Sequence, residues 1–144
     1  MTERDVFLKL KRVQYTARAL ERLKREREWT EKHAADIRAI DYSKVRVQTS
    51  AATDVGKIVE RIWDKVCVIC AGIAKETEAL LAAEEEARGL ISLCDSEIRR
   101  EILTERYIFD MPWPEIGKKH GYVMRQIFRI RKAAFQEIAA KTCH

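Results

Sequence analysis

The longest regular pattern in the chain is an apolar stripe that runs from Ile62 to Cys94. Its members recur at alternating steps of four and three residues, and Glu76 is its one charged position. An α-helix places residues spaced in this way on one face. A helix over about 54–94 would be about 60 Å long and could not bury this stripe against itself. We therefore assign the larger apolar residues of the stripe to oligomerisation: Ile62, Val66, Ile69, Ile73, Leu80 and Leu90.

A second helix is predicted at the N-terminus, over about 3–33. Its apolar residues repeat at the same steps of four and three: Val6, Leu10, Val13, Ala17 and Leu20. Residues 34–53 lose this period and are interpreted as a connecting loop. The two helices would form a long antiparallel hairpin or coiled-coil stem over 1–94. Because the N-terminal helix would span at most about 45 Å, part of the longer stripe is left for a partner chain, and we expect a homodimer.

The composition favours an all-α fold. Of the 144 residues only 5 are Gly and 2 are Pro, while 47% are hydrophobic and 35% are charged. This mixture is typical of helices and argues against a β-sandwich or a disordered chain. No apolar run approaches the roughly 18 residues that span a membrane. We expect a soluble, cytoplasmic protein without a membrane partner.

Residues 95–144 predict a three-helix domain that contains a helix-turn-helix. Pro112 and Pro114 suit the first turn of a helix, where a missing N–H costs nothing. Gly121 suits the left-handed residue that ends this helix at His120. A new helical period then begins, with apolar residues on one face: Ile127, Ile130, Ala134 and Ile138. The aromatic residues expected in the core of this domain are Tyr107, Phe109 and Trp113.

Positive charge concentrates within the predicted helix-turn-helix. Residues 118–132 contain six basic residues and no acidic one, in a chain whose formal net charge is +5. Arg125, Arg129 and Lys132 lie away from the apolar face, as in a helix that enters a DNA major groove. We therefore expect double-stranded DNA as the partner. The predicted DNA contacts are Lys118, Lys119, Met124, Arg125, Gln126, Phe128, Arg129, Arg131 and Lys132.

The predicted contacts divide by their chemistry. Arg125 and Arg129 are candidates for base edges, because a guanidinium can donate two parallel hydrogen bonds to guanine. Gln126 is the candidate for adenine, and Met124 or Phe128 for a thymine methyl group. The candidates for phosphate contacts, which make affinity dependent on salt, are Lys118, Lys119, Arg131 and Lys132. The alternative is that Arg129 and Arg131 pair only with nearby Glu residues, but the absence of acids within 118–132 favours DNA.

The cysteines and histidines do not form a recognisable reactive or metal site. Cys67 and Cys70 have the spacing of a metal or redox pair, but they lie inside an apolar helical run and no second pair completes a site. We expect all four cysteines to be small buried hydrophobic residues. No histidine stands beside a nucleophile or a carboxylate pair, and no Gly-rich phosphate loop is present. The sequence therefore predicts no catalytic residue, metal, cofactor or small-molecule substrate.

The last third of the chain resembles the DNA-reading fourth region of bacterial sigma factors. In that motif a small residue in the first helix, a glycine at the turn and two later aliphatic residues hold the helices together. The matching residues here are Gly117, Gly121, Ile127 and Ile130. Two positions depart from the motif. His120 occupies a place that is usually aliphatic, and Val123 stands where Ser or Thr usually caps the second helix, so we expect a frayed helix start or another form of cap.

A basic N-terminal helix, a loop with Val-Gln-Thr-Ser, a long helix and a terminal block follow one another along the chain, and only about 98–138 of this layout is specific. The layout resembles phage- and prophage-encoded regulators of the RinA/ArpU type. The resemblance implies a transcription regulator, an activator of late phage genes. A single small motif makes few base contacts, so useful specificity needs two copies or a partner such as RNA polymerase. Two alternatives stay open: a small terminase-type DNA-packaging subunit, and a module that docks on polymerase without reading DNA.

Overall fold

The computed structural model describes residues 1–44 and 49–143, with side chains described outside 37–55, and within these residues all the regular secondary structure is helical. The helices are α1 (Glu3–Lys44), α2 (Thr49–Ile91), α3 (Glu97–Leu103), α4 (Trp113–His120) and α5 (Met124–Thr142). A π-helical turn, Thr104–Ile108, comes directly after α3. Within these ranges, none of the helices has the length and apolar character that crossing a bilayer requires. The prediction of an all-α fold is thus confirmed.

Helix α1 begins at Glu3 as predicted, but its end and both ends of α2 differ from the predicted bounds. Helix α1 continues beyond His33 to Lys44, because 34–40 is rich in Ala and contains neither Gly nor Pro. Helix α2 begins at Thr49, so most of the predicted loop over 34–53 is helical, and the remaining predicted loop residues, 45–48, lie outside the described residues. Helix α2 also continues through Gly89 and ends at Ile91.

The chain divides into two compact units. The first unit comprises Met1–Ala17 and Ala79–His144, and the second comprises Arg18–Glu78. The predicted division fell instead between 94 and 95. The difference arises because the start of α1 and the end of α2 pack with the C-terminal helices, whereas the prediction kept both long helices whole.

The first unit is built around one large apolar core and one small one. The large core takes buried residues from α1, α2, the π-helical turn and α5, among them Leu10, Ala87, Tyr107 and Ile138. The small core consists of Ile102, Ile116 and Ile127, one each from α3, α4 and α5. Trp113 is half-buried and packs against both cores. The two cores fix the orientation of α5.

In the second unit α1 and α2 bury a shorter set of apolar residues against each other. The buried residues are Leu20, Ala34, Val66 and Ile69, together with the hydroxyl-bearing Thr30. Gly72 of α2 lies against Leu23, whose Cδ1 would be 3.6 Å from an added Cβ. The apolar stripe from Ile62 is therefore partly buried within a single chain.

This packing bears on the residues assigned to oligomerisation. Val66, Ile69 and Leu90 are buried in the single chain, and Ile62, Ile73 and Leu80 are half-buried. The single chain thus buries part of the stripe that was assigned to a partner chain, because α1 packs along it. A dimer built on the same six residues would have to displace the chain's own packing.

The π-helical turn corrects a second expectation, that Phe109 is a core residue. The Phe109 N–H donates to the carbonyl of Thr104, five residues earlier, at 3.1 Å. One extra residue in a helical turn rotates the residues after it by about 100°. Phe109 is consequently 63% exposed, and Asp110 beside it adopts a positive φ of 55°. Tyr107, by contrast, is buried as predicted.

Candidate nucleic-acid interface

Two glycines shape the turn that joins α4 to α5. Gly121 has φ 72° and ψ 28°, the left-handed conformation that favours glycine, and its N–H donates to the Gly117 carbonyl. The Tyr122 N–H donates to the same carbonyl at 2.9 Å. A Cβ on Gly117 would lie 2.8 Å from the Tyr122 carbonyl oxygen and 3.3 Å from Cδ1 of Ile127. The chain therefore needs glycine at 117 for a close approach and at 121 for a backbone conformation.

Helix α5 begins with a cap that does not use the side chain of the N-cap residue. Val123 is extended, with φ −78° and ψ 159°, and valine has no atom that could accept a hydrogen bond. Instead, the Val123 N–H donates to Oε1 of Gln126 at 3.1 Å. This is the returning half of a capping box. The start of the helix is thus capped by Gln126, one of the residues predicted to contact DNA.

Helix α5 has a buried face and a cationic face on opposite sides. Ile127, Ala134 and Ile138 are buried in the cores. At about 100° per residue, Arg125, Arg129 and Lys132 project from the opposite side of the helix, and all three are exposed. We call these three residues the cationic face.

Among the side chains that the structure describes, none forms an ion pair with the cationic face. Within the described residues, no ion pair and no side-chain hydrogen bond involves Arg125, Arg129 or Lys132. Lys118 in the last turn of α4 is likewise exposed and without an ion pair in those ranges. Such charges keep their full electrostatic attraction for an external anion.

Lys119 is engaged with the fold, unlike Lys118. Its Nζ lies 2.7 Å from Oε1 of Glu105, a residue of the π-helical turn whose side chain is 8% exposed. His120 Nε2 lies 3.0 Å from Oε2 of the same carboxylate. Burial raises the pKa of Glu105, but the hydrogen bonds from Lys119 and His120 outweigh it, so the net pKa is lowered. His120 thus stands where the sigma-factor motif usually has an aliphatic residue, and its polar ring is paired here with the buried carboxylate of Glu105.

Arg131 is also held by the fold, although it was predicted to contact phosphate. Its guanidinium carbon lies 5.2 Å from the centre of the Phe128 ring, 5.7 Å from that of Trp113 and 5.8 Å from that of Phe135. A guanidinium over aromatic rings gains a cation–π attraction. Burial raises the pKa of the neighbouring Tyr107, against the opposing effect of Arg131. Arg131 thus contributes to the packing of α5.

The two apolar residues predicted to touch a thymine methyl group lie beside the cationic face. Met124 and Phe128 are both exposed, at 37% and 41%. The Phe128 ring meets Trp113 edge to face, with ring centroids 5.8 Å apart. Phe128 therefore has a fixed orientation, while one part of its ring faces solvent.

The C-terminal half of α5 is fixed by a carboxylate that the sequence patterns did not single out. Glu137 accepts hydrogen bonds from the Asp95 N–H at 2.9 Å, from Arg99 at 2.8 Å and from Lys141 at 3.3 Å. The bond from the Asp95 backbone is the largest cause that lowers the pKa of Glu137 to about 2. These contacts tie α5 to the start of α3. Because Asp95 and Glu137 are 42 residues apart, no local sequence pattern could have predicted this contact.

The cysteines differ from their prediction. Cys94 is buried, and this burial raises the pKa of its thiol to about 11. Cys67, Cys70 and Cys143 are exposed, so the expectation that they are buried is wrong. Among the residues that the structure describes, no group of three or more His, Cys, Asp or Glu side chains could hold a metal ion.

No family model, curated protein or solved structure matches the chain. Its described residues form an all-helical fold in which α4 and α5 meet at a glycine turn, and the exposed side of α5 carries cations that form no ion pair with another described side chain. This geometry and this charge distribution are therefore the basis on which a function can be proposed.

Proposed function

We propose that the protein is a sequence-specific DNA-binding transcription regulator in which α4 and α5 form a helix-turn-helix. Helix α5 would lie in the major groove of double-stranded DNA. The observation that supports this most is the cationic face, since Arg125, Arg129 and Lys132 lie opposite the buried face of α5 and have no ion pair in the described ranges. A cationic surface of this kind attracts the phosphate backbone and can present guanidinium groups to bases.

The contacts made by each residue refine the roles predicted from the sequence. Arg125 and Arg129 are the candidates for guanine, and Lys118 and Lys132 for phosphates. Lys119 and Arg131 would contribute less, because the first is paired with Glu105 and the second is stacked on aromatic rings. Local pairing with Glu, the alternative for Arg129, has no support in the geometry of the described residues.

The biological setting of the proposal comes from the resemblance to regulators of the RinA/ArpU type. It would make the protein a cytoplasmic activator of late phage genes that works with RNA polymerase. A single helix-turn-helix makes few base contacts, so we propose that two copies bind neighbouring half-sites.

The test begins with selection of bound fragments from a random duplex library, which supplies a target. Binding to that duplex is then measured by fluorescence anisotropy. Arg125→Ala and Arg129→Ala should each weaken binding by roughly 5- to 150-fold, the loss expected for one bidentate guanine contact. Lys118→Ala should weaken binding to all duplexes alike and reduce the salt slope by about 1.

Arg22→Ala is the matched control, because Arg22 is an exposed cation of α1 without an ion pair in the described ranges. It should leave binding nearly unchanged. If Arg125→Ala and Arg129→Ala also left binding unchanged, the protein would not read DNA with α5, and docking on polymerase would become the better explanation. Assembly into large rings would favour a terminase-type packaging subunit.

A further inference from the structure

The start of α1 packs along α5 within the first unit. The rings of Phe7 and Phe135 have centroids 6.2 Å apart, and the thiol of Cys143 donates to the Met1 carbonyl at 3.6 Å. Residue numbers thus rise along α1 as they fall along α5, so the two helices run antiparallel over this stretch. Both also bury residues in the large core. We call the line along which they meet the α1–α5 seam.

Lys11 lies at this seam, between two contacts that α1 makes with the C-terminal helices. Phe7, one turn before Lys11, meets Phe135 of α5. Gln14, about one turn after Lys11, donates from Nε2 to the carbonyl of Arg106 in the π-helical turn at 2.8 Å. The position of Lys11 relative to the proposed helix-turn-helix is therefore fixed from both sides.

Two cations of α1 border the seam on the side away from the core. At about 100° per residue, Lys11 lies about 40° and Arg4 about 60° round the helix from Phe7. Leu10, which is buried in the core, lies about 60° from Phe7 in the opposite direction. Arg4 is exposed and Lys11 is half-buried. We call Arg4 and Lys11 the α1 cations.

Helix α5 has the same order of residues round its axis. Lys132, a member of the cationic face, lies about 60° round the helix from Phe135, and the buried Ile138 lies about 60° in the opposite direction. Because the two helices are antiparallel, the same sense of rotation turns both sets of cations to the same side of the pair, away from the core. The α1 cations and the cationic face therefore form one positively charged surface.

The α1 cations have no acidic partner among the residues that the structure describes. Three and four residues from either of them, where neighbours on a helix lie, the chain has no Asp or Glu. Neither takes part in an ion pair with a described side chain. Lys11 Nζ lies 5.9 Å from the centre of the Phe7 ring and 6.0 Å from that of Tyr15. Both distances are near the outer limit of a cation–π contact, and rings carry no net charge, so Lys11 keeps its attraction for an anion.

We propose that the start of α1 is a second DNA contact, in which Arg4 and Lys11 bind phosphates of the strand that borders the major groove occupied by α5. Packed helices lie about 8–10 Å apart, and the major groove is about 12 Å wide. A helix beside α5 therefore stands over the edge of the groove, where the phosphates lie. This inference rests on the proposed function. Contacts to phosphates fix the register of a protein on the duplex without reading its bases.

The first test is the salt dependence of binding to the selected duplex, measured by fluorescence anisotropy. Lys11→Gln and Arg4→Gln should each reduce the salt slope by about 1 and weaken binding about fivefold at about 0.15 M salt. The loss should be the same on a duplex of scrambled sequence, since phosphates are common to all sequences. Lys11→Arg keeps the charge and should keep the native slope.

Arg12→Gln is the matched control for Lys11→Gln. Arg12 is exposed and has no ion pair with a described side chain, and it lies about 100° round α1 from Lys11, on the side away from Phe7. Its substitution should leave the salt slope nearly unchanged. Circular dichroism and the midpoint of thermal unfolding check that the variants keep the native fold. Equal slopes for Lys11→Gln and Arg12→Gln would overturn the proposal.

The second test locates the phosphate that Lys11 contacts. A series of duplexes carries one uncharged methylphosphonate each, at successive phosphates along both edges of the selected site. At one of these positions the native chain should lose about fivefold in affinity, the loss expected for one phosphate contact. Lys11→Gln should lose nothing at that position, because the contact is already absent. Equal losses for the native chain and Lys11→Gln at every position would contradict a direct contact.

These measurements separate the α1 contact from the proposed function. If Arg125→Ala weakens binding while Lys11→Gln and Arg4→Gln do not, α5 reads DNA and the inference about α1 is wrong. If the α1 variants weaken binding while Arg125→Ala and Arg129→Ala do not, the reading of bases by α5 is wrong and the phosphate contact of α1 stands. A chain that binds no duplex would refute both.

Discussion

The two compact units differ in how completely they bury their apolar residues. In the first unit, parts of α1 and α2 combine with the three shorter helices to enclose two cores, with residues such as Ile102, Ile116 and Ile127 fully buried. In the second unit two helices meet along one side, and apolar residues such as Trp29 and Val68 remain exposed. A pair of helices has only one face to bury, whereas several helices can surround a core. The first unit therefore encloses most of the buried apolar residues of the described chain, and the second buries few of its own.

The largest effect expected from this difference concerns core truncation. Ile127→Ala in the first unit should lower the free energy of unfolding by about 4 kcal/mol, because the surrounding helices cannot close the cavity. Ile69→Ala in the second unit should cost about 2 kcal/mol, since two helices can move together more easily. Denaturant unfolding followed by circular dichroism measures both values. Equal costs would show that the two units are packed alike.

The next effect concerns the close approach at the glycine turn. Gly117→Ala should cost about 2 kcal/mol, because the new Cβ would meet a backbone oxygen at 2.8 Å and the backbone must shift. Gly89→Ala is the control, since nothing lies within 4 Å of its added Cβ, and it should stabilise α2 by up to about 1 kcal/mol. The midpoint of denaturant unfolding distinguishes the two. If Gly117→Ala were as well tolerated, α4 and the Tyr122 backbone would be farther apart than described.

A smaller effect is expected from Glu137, and it depends on pH. Because the folded-state pKa of Glu137 is lowered from 4.5 to about 2, its stabilisation is fully present above about pH 4.5 and is lost as the pH falls towards 2. Glu137→Gln should therefore cost about 1–2 kcal/mol at neutral pH and flatten the loss of stability in that acidic window. Thermal unfolding between pH 2 and 7 measures this. Glu85→Gln, at an exposed position of α2, should leave the curve unchanged.

The smallest effect is expected at the start of α5. Gln126→Ala removes the acceptor for the Val123 N–H and should cost about 0.5–1 kcal/mol. Amide hydrogen exchange should show faster exchange in the first turn of α5 and no change in α4. Unaltered exchange at Val123 would mean that this N–H has another partner. Gln136→Ala, at an exposed position farther along α5, is the control.

Features that depend on neighbouring residues could be predicted from the sequence. The glycines at 117 and 121 and the apolar spacing from Ile127 gave the positions of α4, the turn and α5 closely, because helix ends and helix faces are set over a few residues. The end of α1 was missed because the period weakens after His33, while Ala-rich sequence keeps the backbone helical to Lys44. The period of apolar residues predicts which part of a helix is buried. Residues with high helix propensity can extend the helix beyond that buried part.

Features that depend on contacts between distant residues could not be predicted. Glu105 and His120 are 15 residues apart, and only the packing of α4 on the π-helical turn brings them together. The exposure of Phe109 is caused by the extra residue in that turn, which shifts the helical register. No residue pattern in the sequence indicates this shift. The aromatic rings beside Arg131 could not be predicted either, because Trp113 is 18 residues away in the sequence and charge alone does not reveal such contacts.

The cap formed by Gln126 has a consequence for base preference in the complex with DNA that we propose. An amide that reads adenine uses both its oxygen and its nitrogen, with the oxygen accepting from the exocyclic amine. Here that oxygen already accepts a hydrogen bond from the main-chain N–H of Val123. In the proposed complex we expect the side chain to act mainly as a donor, towards guanine N7 or O6 or thymine O4, and preference at that base pair to be modest.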